Sequence, residues 1–144
     1  MIVETPLRVR YSETDRMGIV YHAHYIVWFE IGRTEYCRAA GLPYRKMEDS
    51  GLWILVTNVE CTYRRPARYD DAIRVRTALP ELSPRGLAFS YDVLEEGGGR
   101  LANGSSRHVF ADSSGRPVRA PTEIVEALER FRTSTQEDEF SVLS

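Results

Sequence analysis

The segment Tyr11-Ser12-Glu13-Thr14-Asp15-Arg16-Met17-Gly18-Ile19-Val20-Tyr21-His22-Ala23-His24-Tyr25 holds the residue types in this chain best able to do chemistry. It sets a carboxylate, Asp15, a few residues ahead of the start of a helix. A helix N-terminus presents unpaired N–H groups and a partial positive charge. Placed against a carbonyl, those amides would stabilise a developing oxyanion. A nearby carboxylate could activate water or attack directly. These are the two parts that acyl transfer needs. The plainer alternative makes Asp15 a helix cap or a partner of the helix dipole, although it stands rather far from the helix start to cap it directly. The residues alone leave both readings open.

Other constellations point elsewhere. His22 and His24 form an H-x-H pair that Asp15 could complete as a metal site. Residues two apart do not face the same way on a helix, and no H-E-x-x-H pattern occurs, so no metal is expected. No serine stands in G-x-S-x-G, and neither G-x-G-x-x-G nor G-x-x-x-x-G-K-[ST] is present. The only cysteines, Cys37 and Cys61, form no C-x-x-C motif and read as core thiols of a chain kept in a reducing cytoplasm. His108, the remaining histidine, reads as a structural residue with a satisfied hydrogen bond. Arg64, Arg65 and Arg68 cluster around one turn, and Arg85 sits in the next turn along. They make either a solvated rim or a patch whose guanidinium forks suit the phosphates of a single nucleotide.

The elements that must position these residues follow from periodicity. Leu7, Val9 and Tyr11 alternate with Arg8, Arg10 and Ser12, which predicts a half-buried strand. From about His22 to Ala40, Tyr25, Trp28, Phe29, Gly32, Tyr36 and Ala40 recur at helical spacing. Gly41 and Pro43 end that helix. Gly32 within it costs about 1 kcal/mol against Ala and implies close approach of another backbone. Period-two patterns then return: Leu55, Thr57, Val59, Cys61 and Tyr63 on one face, followed by runs over 73–79, 87–93 and 101–110. On the last run Ala102, Gly104 and Ser106 form a small-residue face on which a helix can sit. Short turns join the four strands, so successive strands are expected to be antiparallel neighbours. Pro121-Thr122-Glu123 starts a short helix with Ile124, Leu128 and Phe131 on one side. The expected class is α+β: one curved antiparallel sheet wrapped around one central helix, with open edges that dimerisation would cover.

A length of 144 residues fits one domain, expected over residues 1–133, with a polar, acidic and frayed tail over 134–144. A net charge of −2 and a pI near 5.9 disfavour a nucleic-acid footprint. No apolar run approaches the roughly 18 residues of a membrane helix. No signal-peptide pattern follows Met1.

Asp15 to Tyr25, with Trp28-Phe29-Glu30 and Arg33-Thr34-Glu35, resembles the hotdog-fold acyl-CoA thioesterases of the 4-hydroxybenzoyl-CoA thioesterase type, and among them the Tol–Pal-associated branch. Residues 63–71 and 102–108 resemble two further segments of that family. The resemblance implies a five-stranded hotdog fold, hydrolysis of acyl-CoA without a cofactor, and a homodimer or homotetramer. It places the catalytic carboxylate on Asp15, the oxyanion-binding amide and a catalytic imidazole on His22, and a further catalytic residue on Tyr11. Tyr21, His24, Arg64, Arg65, Arg68 and Arg85 are its candidate substrate-binding residues. His24 replaces the Asn or Ser of many relatives, and Glu13 replaces an Asp. Two other readings stay open: a non-catalytic acyl-CoA or acyl-carrier binding module, and a hydroxyacyl-thioester dehydratase.

Overall fold

The computed structural model describes residues 1–135, so the expected tail lies largely outside the described residues. In chain order the elements are β1 (Ile2–Arg8), a 3-10 turn (Tyr11–Glu13), α1 (Ala23–Ala39), α2 (Tyr44–Asp49), β2 (Trp53–Tyr63), β3 (Ala72–Leu82), β4 (Gly86–Glu95), β5 (Arg100–Ala111) and α3 (Thr122–Thr133). The five strands form one antiparallel sheet in the order β1-β3-β4-β5-β2. This is the expected α+β architecture. No helix among the described residues is long and apolar enough to cross a membrane.

α1 lies along the inner face of the sheet. Its stripe of Tyr25, Trp28, Phe29, Gly32, Tyr36 and Cys37 is buried. Phe29 stacks on Tyr91 of β4, with ring centroids 4.3 Å apart, and Tyr36 packs edge-on to Phe131 of α3 at 5.0 Å. Small residues permit the approach. A Cβ on Gly104 of β5 would fall 2.7 Å from the Phe29 ring and would also strike the Glu60 carbonyl. A Cβ on Gly32 would fall 2.5 Å from Thr77 Oγ1 and 2.9 Å from Val75 Cγ1. Gly32 therefore makes room for side chains of β3, not for a backbone. Gly41 ends α1 at φ +80°, the left-handed conformation expected of it.

Three sequence expectations need correction. The first strand stops at Arg8, and Tyr11 lies in the 3-10 turn instead, 79% exposed. The alternation in β2 is broken by a bulge between Val56 and Asn58. Ile54, not Leu55, therefore packs against the core with Val59 and Cys61, as a bulge adds one residue and shifts the pleat. Between Pro43 and β2, where the periodicity assigns no element, the chain forms the short helix α2, whose Met47 enters the core. Finally, β2 and β3 are not neighbours. β2 pairs with β5 at one edge, and β3 pairs with β1 near the other. Residues 64–71 cross between them, so a short link here spans the end of the sheet instead of closing a hairpin.

Candidate active site

That crossover runs past the start of α1. Ala67 accepts the Val20 N–H at 2.9 Å and donates its own N–H to the Tyr25 hydroxyl at 3.2 Å. Ile19 pairs with Arg68 in an isolated antiparallel bridge. On its other side the segment before the helix folds into a narrow hairpin: Asp15 N–H donates to Ile19 C=O at 2.8 Å, and Thr14 bridges Val20. Gly18 closes the hairpin at φ +78° and donates to Asp15 C=O at 3.0 Å. Few residues besides Gly adopt that backbone easily. Three short pieces of chain thus converge on the first turn of α1 because each satisfies the backbone of the next.

Asp15 is half-buried on the outgoing arm of this hairpin. Its Oδ1 accepts the Met17 N–H at 2.8 Å. It does not cap α1: His22 occupies the N-cap position and no side-chain hydrogen bond closes that end. The capping alternative therefore fails. Among the described residues no acceptor takes the His22 N–H.

The returning arm, Ile19 and Val20, forms one wall of a cleft of about 290 Å³ whose other walls are His22, Tyr25, Tyr63, Arg64, Arg65 and Pro66. Asp15 does not line this cleft; it stands across the hairpin from it. Aromatic rings make the floor. Tyr63 meets Tyr25 edge-on at 5.1 Å and His22 at 6.3 Å. The Tyr63 hydroxyl donates to the His22 carbonyl at 2.9 Å. Burial, with the Cys61 thiol beside it, pushes the Tyr63 hydroxyl up to about 12, so it keeps that proton. Tyr21 stacks at a tilt on His22 (4.5 Å) and reaches His24 edge-on (6.2 Å).

The candidate arginines do not form one patch. Arg64 donates to Asn103 Oδ1 at 2.7 Å, and Arg65 pairs with Glu95. The Arg68 guanidinium has no partner among the described residues. Arg85 lies in the turn between β3 and β4, at the other end of the sheet. The 11 residues of β3 separate the two ends, which is on the order of 30 Å at strand rise. Arg85 instead borders a second cleft of about 370 Å³ beside the Glu81–Arg107 ion pair. Tyr11 is brought to the mouth of the hairpin but faces Tyr69, edge-on at 5.8 Å.

Sequence reasoning passed over Glu13 as a site residue. Its side chain is buried and accepts the Arg10 N–H at 2.8 Å and the Trp28 Nε1–H at 2.9 Å, with the Arg10 guanidinium 3.6 Å away. Burial works to raise its pKa, but the Arg10 and Trp28 hydrogen bonds and the Arg10 charge outweigh it and hold the carboxyl below its ordinary value. Burial holds two further groups, Cys37 and His108, toward their neutral forms. Burial pushes the Cys37 thiol up to about 12. His108 bonds Ser106 Oγ at 2.7 Å, as expected of a structural histidine, though its Nδ1 has no partner. Among the described residues no group of three or more His, Cys, Asp or Glu could hold a metal ion.

Comparison with known proteins places this geometry. The model of the Thioesterase-like superfamily matches residues 9–128. The crystal structure of a hypothetical protein from Thermus thermophilus superposes with a TM-score of 0.87 at 40% identity, covering 93% of this chain and 100% of that one. A DHNA-CoA thioesterase from Staphylococcus aureus gives a TM-score of 0.87 at 26% identity, covering 96% and 95%. A Haemophilus influenzae protein named acyl-CoA thioesterase YbgC is 35% identical over 85 residues, 58% of this chain and 62% of that protein.

Proposed function

The chain belongs to the thioesterase-like superfamily and is an acyl-CoA thioesterase; from that premise we propose how its own residues cleave the thioester. The thioester carbonyl oxygen sits on the His22 N–H at the open start of α1. Asp15 takes a proton from a water as that water attacks the carbonyl carbon. The new oxyanion is held by the amide, which is fixed in advance of the reaction. Collapse of the tetrahedral intermediate breaks the C–S bond, and the proton held by Asp15 passes to the leaving CoA sulfur. The products are the free acid and CoA. The His22 imidazole orients the water or the carboxylate, and Tyr11 contributes its hydroxyl from the hairpin's mouth. Tyr21 and His24 contact the acyl group. The observation that carries this reading is the tie between the Asp15 hairpin and the uncapped first turn of α1.

The reading includes a cytoplasmic, cofactor-independent homo-oligomer. β2 is an edge strand, and Trp53, Leu55, Val56 and Tyr63 along it are exposed. Such an edge invites pairing with a second copy. Antiparallel pairing of two β2 strands about a two-fold axis carries the Arg85 end of one copy toward the Arg64 end of the other. CoA phosphates would then meet Arg64, Arg65 and Arg68 from one chain and Arg85 from its partner. The same pairing would enclose the cleft that Asp15 only adjoins within one chain. The direct test is a thiol-release assay on a panel of acyl-CoAs with Asp15→Asn. The substitution is expected to lower kcat by at least roughly a hundredfold. Full rate on every substrate would end the assignment of Asp15, and tight acyl-CoA binding with no thiol release by the native chain would favour a binding module instead.

A further inference from the structure

We propose that Glu13 is a positioning residue that fixes the Asp15 hairpin against α1 and so sets the rate of the chemical step; this rests on the reading of Asp15 above. Glu13 is 3% exposed, one of few charged groups so deeply placed. Its two oxygens serve different parts of the chain. Oε1 takes the N–H of Arg10, ahead of the hairpin, and Oε2 takes the indole N–H of Trp28, on the second turn of α1. The Glu13 carbonyl accepts the Tyr21 N–H at 2.9 Å, just where the hairpin returns to the helix. Thr14, the next residue, bridges Val20. One side chain and its own backbone therefore hold both arms of the hairpin and the helix in one register.

Trp28 passes the constraint onward. It packs on Tyr25 at 4.8 Å, and Tyr25 meets Tyr63, whose hydroxyl holds the His22 carbonyl. The carboxylate anchor thus reaches both sides of the proposed reacting centre, Asp15 through the chain and His22 through the rings. An apolar residue of similar volume would fill this space without the desolvation that a buried charge suffers. A satisfied buried polar network instead specifies one arrangement. Only a carboxylate accepts at both ends. Glutamine offers one oxygen, so its NH₂ would face one of the two N–H donors.

The test measures kcat and KM by thiol release for E13Q, W28F and the double variant, beside D15N. The substrate is the fastest member of an acyl-CoA panel, and folded protein is quantified by near-UV circular dichroism. Displacement of a catalytic group well below its contact distance is enough to cost tenfold or more. E13Q is expected to lose at least about tenfold in kcat with KM within about twofold. W28F should lose a similar factor, and the double variant no more than the worse single. A kcat for E13Q within twofold of native overturns the proposal. So does a loss that merely follows the loss of folded protein, or a double variant whose losses multiply. Should E13Q fail to fold, W28F decides alone: an unchanged kcat overturns the proposal, and a tenfold loss at unchanged KM supports it. Full rate in D15N would instead remove the reading of Asp15 itself, whatever E13Q does.

Discussion

Replacing Gly32 with Ala tests how tightly α1 is seated on the sheet, and so how firmly its first turn is held. The added Cβ would lie 2.5 Å from Thr77 Oγ1 and 2.9 Å from Val75 Cγ1. Both neighbours are fully buried, and both are β-branched and stiff at χ1. They cannot turn away, so the strain falls near the top of the 1–3 kcal/mol range for an added methyl in a packed core. Ala regains about 1 kcal/mol of helix propensity over Gly. The net expectation is a loss of about 2 kcal/mol. For a chain of this length that is a fall of ~4–8 °C in Tm. Urea unfolding followed by tryptophan fluorescence would read it as a lower midpoint at unchanged slope. In a Thr77→Ala background the nearest clash is gone, and Gly32→Ala should cost about 1 kcal/mol less. A Gly32→Ala protein as stable as the native one, or more so, would refute the argument.

The edge strand and the buried histidine set two further expectations. Val56→Asp, on the exposed edge strand β2, should convert a native dimer to monomer in sedimentation velocity and remove activity with it; a native protein already monomeric at assay concentration would contradict the shared site. Burial, reinforced by the Arg33 charge, pushes His108 down to about 4 from an ordinary value of 6.5. Between those values the unfolded chain binds a proton that the folded one refuses, so stability present above pH 6.5 is lost as the pH falls toward 4. The native urea midpoint should drop between pH 7 and pH 5, and His108→Gln should flatten that slope. Parallel drops in the two proteins would assign the effect elsewhere.

Much of the frame was legible because it is written locally. The stripe from Tyr25 to Cys37 has helical spacing, Gly41 and Pro43 stop it, and the small residues Ala102, Gly104 and Ser106 mark where a helix can approach. Even α2 carried a signal, a proline followed by helix-forming residues and then Gly51. Strand order was not legible. Residues 64–71 look like a hairpin connection, and what makes them a crossover is their hydrogen bonding to Ile19, Val20 and Tyr25, groups distant in sequence. The bulge in β2 was hidden for a similar reason: it depends on the pairing of Val56 and Asn58 with β5.

The site divides along the same line. Asp15, Gly18 and His22 stand within one short segment, so spacing could single them out together, but the cleft takes in His22 and leaves Asp15 across the hairpin. Glu13 has the same segment around it, but its partner Trp28 is 15 residues away and nothing in the sequence marks that bond. Grouping Arg85 with Arg64, Arg65 and Arg68 rested on successive turns. In an antiparallel sheet successive turns fall at opposite ends, which is where the structure puts them.

The most direct measurement is a crystal structure of the native protein with an acyl-CoA analogue whose sulfur is replaced by a methylene, leaving a ketone that cannot be hydrolysed. The ketone oxygen should accept the His22 N–H, with the Asp15 carboxylate on the face of the carbonyl from which a water can attack. A bound analogue with its ketone remote from the first turn of α1, or with Asp15 turned away from that carbon, would contradict the account.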